Sequence, residues 1–186
     1  MENFEKIENE DVENWKVREK LVDSVRETLD DYVAFYERDL YECMIDCESP
    51  IEQLMALELY SVNKLFSSVT SQIEILRIKP QEYIQIEKQT YKVDFMVNIA
   101  FKILDKYEDD LNLVIECDGY EFHQKTKEQV KKDYERDRLL QMAGYYVLRF
   151  GGSEIYNNPF ECRKKINQFI SNKYYQFLES KLKKNV

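Results

Sequence analysis

Three short runs carry acidic side chains where a folded core does not ordinarily accept them. In Val114-Ile115-Glu116-Cys117-Asp118-Gly119 a continuous apolar run ends in two carboxylates. Side chains alternate along a strand, so Glu116 and Asp118 share one face, about 7 Å apart, at the end of a buried strand. Two unpaired like charges are expensive there, and something positive must compensate them. A hard divalent cation, Mg²⁺ or Mn²⁺, does so through carboxylate oxygens and water, and the backbone carbonyl of Cys117 could complete the set. The alternative is a salt-bridge network with Arg136 or Arg149. A second run, Val93-Asp94-Phe95, sets an aspartate in a strand whose neighbours Val93, Phe95 and Val97 are apolar and point to the opposite face. The third run places Glu52 three residues before Met55 and seven before Leu59, at the head of the apolar stripe of a helix.

A second helix belongs to the same end of the sheet. Asp133, Arg136, Asp137, Leu140 and Ala143 follow the spacing of a single helical face, which is apolar at one end and charged at the other. Such charges could hold Glu116 and Asp118, or a phosphate. The lysines and arginine at 125, 127, 131, 132 and 136 form a basic stretch beside them.

These residues imply the elements that position them. Ser49-Pro50-Ile51-Glu52 is a helix start, with Ser49 as N-cap and Pro50 at the first helical position, and Met55, Leu59, Val62 and Phe66 continue the stripe. Short strands are expected at 72–78, 83–87, 91–100 and 111–118, with Pro80 and Lys88-Gln89 as boundaries and the last two paired as an antiparallel hairpin. Leu113-Val114-Ile115 reads as a central strand covered on both faces. A helix over 125–143 ends at Gly144, a strand follows at 145–150, and a C-terminal helix spans 159–183. The order predicts an α/β fold (an α+β sandwich) with a mixed central β-sheet flanked by helices.

The whole chain bounds the reading. It has 186 residues, of which 44% are hydrophobic, enough for one domain with extra helices, and shows no repeat. The start MENFEKIENEDVENW is acidic and no run is long and apolar enough to span a bilayer, so a cytoplasmic protein without membrane contact is expected. Four cysteines then read as free thiols, and a single histidine makes a structural zinc site improbable. The net charge of −9 is unevenly spread: residues 1–50 carry −10, 51–124 carry −6 and 125–186 carry +7. A polyanion lying along the basic rear is compatible with this, as are solvated helix faces. Residues 12–42 read as polar amphipathic helices, an appendage within an acidic segment 1–48 that packs on the domain, on a partner or on a second copy.

The ordered combination VDFMV, VIECDGYEFH, DYERDRLLQMAGYYVLRF and GGSEI resembles the PD-(D/E)XK nuclease superfamily, particularly the branch of very-short-patch repair endonucleases, and SPIEQLMALEL upstream is similar to the glutamate-bearing first helix of that branch. The resemblance covers about residues 49–160, with 161–186 as a C-terminal helix packed on a restriction-endonuclease-like core. It implies that Asp94 and Glu116 bind the metal, that Glu52 completes the acidic site, and that His123 stands where the repair enzymes also carry histidine. Asp118 departs from the pattern: the superfamily has lysine at that place and the repair branch histidine. The general base is then either absent, with the metal alone activating water, or His123. Asp133, Asp137, Arg149 and Glu154 would support these groups from behind.

The reaction implied is Mg²⁺-dependent hydrolysis of DNA phosphodiesters at Glu52, Asp94, Glu116, Asp118 and His123, with Lys125, Lys127, Lys131, Lys132 and Arg136 on the DNA backbone. Two rivals stand beside it: an inactive nucleic-acid-binding or regulatory module whose acidic cluster is locked by arginines, and a subunit delivered to DNA through its N-terminal segment.

Overall fold

The computed structural model describes residues 38–70, 72–119 and 126–184. His123, Lys125 and all but the last residues of the expected N-terminal helices lie outside the described residues. The chain divides into two compact units, Met1–Tyr41 and Glu42–Val186, and the sheet with its helices belongs wholly to the second.

Helix α1 (Pro50–Val69) begins as its sequence dictates: the Glu52 amide donates to Ser49 Oγ at 3.3 Å, with Pro50 in the first turn. Met55, Ala56, Leu59, Val62 and Phe66 form its buried stripe. Three strands follow, β1 (Ile73–Ile86), β2 (Gln89–Ile103) and β3 (Lys106–Asp118), paired antiparallel in sequence order. Helix α2 (Lys127–Met142) then crosses over to β4 (Tyr146–Gly151), which runs parallel to β3, as a parallel neighbour requires a long connection. The result is a mixed four-stranded sheet in the order β1-β2-β3-β4 with flanking helices, the α/β fold expected. A short helix, α3 (Gly152–Asn157), leads into the long α4 (Pro159–Lys184), which packs against α1. Among the described residues no helix is long and apolar enough to cross a membrane.

One expectation needs correction. The runs at 72–78 and 83–87 are a single strand, and Pro80 does not divide them: it stands opposite Phe95 within β1. The reason is position, since β1 is an edge strand and the missing N–H of proline costs a ladder bond only where a neighbour needs it. The irregularities lie elsewhere, at a register shift between Ile75 and Arg77 and at Gln81, whose φ is +51°.

Strand β3 is central and buried on both faces: Leu113, Val114 and Ile115 are fully covered. Val114 meets Leu140 of α2 together with Ile84, Val93 and Met96, while Leu113 and Ile115 alternate to the other side. Helix α2 is opened by a capping box, with Thr126 Oγ1 accepting from the Gln129 amide and Gln129 Oε1 from the Thr126 amide. It closes at Gly144, whose φ of +91° is a conformation suited to glycine. These two ends fix how far α2 runs along the sheet.

Candidate active site

The β2–β3 ladder runs to Phe95 opposite Ile115, so Asp94 and Glu116 stand at the next step, where regular pairing stops. Asp94 takes over part of the ladder itself: its Oδ2 accepts the Cys117 amide at 2.6 Å. Burial is the main force pushing the Asp94 carboxyl above the ordinary aspartate range; the Cys117 amide opposes it, and the charge of Glu52 adds to it. Glu116, only 5% exposed, is pushed up to about 7, again chiefly by burial, with Asp94 reinforcing the shift and Arg136 opposing it. Two carboxylates are therefore held close together in a poorly solvated place.

Arginines from two elements answer them. Arg136 on α2 donates to Glu116 Oε1 at 2.6 Å and Oε2 at 3.3 Å, and also to the carbonyl of Lys92. Arg149, the β4 residue beside Glu116 in the parallel ladder, forms a fork on Asp118, with both bonds at 3.0 Å. The same guanidinium reaches Asp137 of α2 at 2.9 and 3.1 Å and lies 3.9 Å from Glu116. Burial of Arg149 is outweighed by these carboxylates, which hold its pKa above the ordinary arginine value. The expected sharing of one face by Glu116 and Asp118 is thus visible in their common contact with Arg149. The salt-bridge alternative is realised as well, for both carboxylates of β3 have an arginine.

Glu52 reaches the same neighbourhood from α1. Its carboxylate accepts from Ser49 Oγ at 2.7 Å, the Glu48 amide at 2.8 Å and Gln81 Nε2 at 2.6 Å. It caps its own helix and is bonded to β1 at the residue with positive φ. Its charge raises both Asp94 and the thiol of Cys117, which places it beside them electrostatically. The backbone at Asp118 is also closely fitted: a Cβ on Gly152 would come within 3.1 Å of the Asp118 carbonyl oxygen, so this crossing favours glycine.

The other expected residues divide. Asp137 joins the cluster through Arg149, and Asp133 is half-buried on the same helix. Glu154 does not: it pairs with Lys165 of α4. Lys127, Lys131 and Lys132 are exposed on α2. Sequence reasoning missed Gln81, which has no local signature, and the Lys92 carbonyl, whose role depends on where α2 lands.

Among the described residues no three His, Cys, Asp or Glu side chains converge into a ready metal cage. That is compatible with Mg²⁺, which binds through one or two carboxylates and keeps several waters. The charge balance has the same sense, since three carboxylates, Glu116, Asp118 and Asp137, share the two guanidiniums of Arg136 and Arg149. Among the described residues, no ion pair involves Asp94. The oxygen donors present fit a divalent ion at Asp94 and Glu116, provided that Arg136 yields its hold on Glu116.

A family model, REase_MTES_1575, matches residues 67–170, a stretch that contains Asp94, Glu116, Asp118, Arg136 and Arg149. No curated protein and no solved structure matches the chain.

Proposed function

Because this chain belongs to REase_MTES_1575, a restriction endonuclease-like family of the PD-(D/E)XK kind, we propose that its carboxylate edge is the active site of a metal-dependent endonuclease that hydrolyses DNA phosphodiester bonds. The observation that carries this reading is the adjacency of half-buried Asp94 and buried Glu116 at the point where the β2–β3 ladder opens. Structural carboxylates are usually matched one to one by cations, and perturbed acids gathered at one edge favour a functional role.

Asp94 and Glu116 would hold Mg²⁺ or Mn²⁺, with Asp118 and the Cys117 carbonyl as further oxygens within reach of the same edge. The ion supplies Lewis acidity toward the phosphoryl group and lowers the pKa of water. The protein's own part is orientation. The Cys117 amide fixes Asp94, Arg149 fixes Asp118 against Asp137, and Arg136, bonded to Glu116, is a guanidinium that could turn to a phosphate. Lys127, Lys131 and Lys132 suit the DNA backbone as exposed cations. His123 and Lys125 keep their proposed roles as base and phosphate contact on sequence alone, as does the narrower likeness to repair endonucleases.

The test is cleavage of supercoiled plasmid and single-stranded DNA with Mg²⁺ or Mn²⁺. Asp94→Ala and Glu116→Ala should each abolish it and weaken Mn²⁺ binding followed by paramagnetic resonance. Failure of the unmodified protein to cut any of these across a range of salt would remove the reading.

A second reading has its own observation: Glu116 and Asp118 already have arginine partners. On that reading the fold is an inactive nucleic-acid-binding or regulatory module. The Mn²⁺ titration separates the two, since a locked cluster takes up no ion and responds to Asp94→Ala only in stability.

A further inference from the structure

A groove of about 980 Å³ lies between the turn that joins β1 to β2 and the middle of α2. Lys88 and Tyr91 line it from the sheet, Lys132 and Arg136 from the helix. Arg136 is also bonded to Glu116, so one side chain of the groove touches the carboxylate edge. Its lining is mixed in a particular way. Three cations face two carboxylates, Glu87 and Glu135, which leaves only a small positive excess for phosphates. The rest is Ile86, Leu139 and Tyr91, whose hydroxyl donates to Gln89 in the same lining.

We propose that this groove receives an unpaired DNA strand, with Tyr91 stacking on a base and Lys88 and Lys132 on the flanking phosphates, and leads it to the carboxylates. The proposal rests on the reading of that edge as the cutting site. A duplex presents phosphates and groove edges, and to it the apolar floor is useless. An unpaired strand presents base faces as well, and the combination of cations with an aromatic platform is what such strands bind.

The experiment uses the full chain in EDTA, with fluorescein-labelled oligothymidylate and a duplex of equal length, read by fluorescence anisotropy. The single strand should bind more tightly than the duplex. Tyr91→Ala should weaken single-strand binding by about tenfold, as expected for a lost stacking partner, and Tyr91→Trp should preserve it. Lys88→Ala should lower the slope of log affinity against log salt by about 0.7. Tighter duplex binding, no binding at all, or Tyr91→Ala and Lys88→Ala variants that bind like the parent would overturn the proposal. Metal-dependent cleavage is measured separately. If the parent cuts but the variants bind normally, the groove is refuted and the active site stands. If the parent never cuts yet its single-strand binding depends on Tyr91, the groove stands and the cutting-site reading falls.

Discussion

Replacing Glu116 with glutamine tests the central electrostatic claim without removing the side chain. Glu116 rises from an ordinary 4.5 to about 7, so the folded protein holds its proton more tightly than the unfolded chain does. Stability from this group is complete below pH 4.5 and is lost as the pH climbs through 7. At about 1.36 kcal/mol per pKa unit, ionised Glu116 weighs against folding by about 3 kcal/mol at pH 8. With the side chain 6% exposed, solvent screening reduces that figure little. Glu116→Gln keeps the shape and an oxygen for Arg136 while removing the charge.

The variant should therefore melt roughly 6–12 °C above the parent at pH 8, taking about 2–4 °C per kcal/mol for a chain of this size. At pH 4.5 the two should melt together. Differential scanning calorimetry across that range, in EDTA, reads the difference directly. A variant that melts at or below the parent at pH 8 would show that the Arg136 ion pair outweighs burial, and the argument for an over-charged edge would fail. With Mn²⁺ added, the parent should gain stability and the variant should not. A gain of that kind is what a binding site sacrifices in its empty state.

Arg149→Ala leaves Asp118 and Asp137 without their shared guanidinium and should cost about 2–4 kcal/mol by urea unfolding; Arg149→Lys should recover less than half, since an ammonium cannot form the fork. Glu52→Ala removes the acceptor of Ser49, Glu48 and Gln81 and should lower stability by about 1–2 kcal/mol, with faster amide exchange in the first turn of α1. Leu140→Ala opens a cavity under α2 and should cost about 2–4 kcal/mol by the same urea measurement, with Leu140→Met nearly neutral.

What the sequence made legible was what is local. Ser49-Pro50 marks the start of α1 and Gly144 the end of α2, because caps need particular side chains or a positive φ. The shared face of Glu116 and Asp118 follows from alternation within one strand. Pro80 misled because its cost depends on the neighbour that a strand has, which no local rule knows. The bond from the Cys117 amide to Asp94 was hidden for a related reason: it depends on the register between β2 and β3, a pairing across twenty-three residues. The choice between metal site and arginine lock stayed open because residue types alone fit both; the landing of α2 brings Arg136 to Glu116, and the β3–β4 register brings Arg149 to Asp118.

That placement has a simple geometric cause. Leu140 meets Val114 in the core, and Arg136 meets Glu116 at the edge. The first pair is separated from the second by four residues on the helix and two on the strand, running in opposite directions. Four helical residues advance about 6 Å, and two strand residues about 6.6 Å. The steps match, so the core position of Leu140 and the ion pair of Arg136 follow one another along the same side of α2. A further step of four reaches Lys132, which lines the groove. The core position of Leu140 thus accompanies the placement of Arg136 at the carboxylates one turn away. The buried half of the helix and its charged half are a single device for aiming positive charge at the sheet edge.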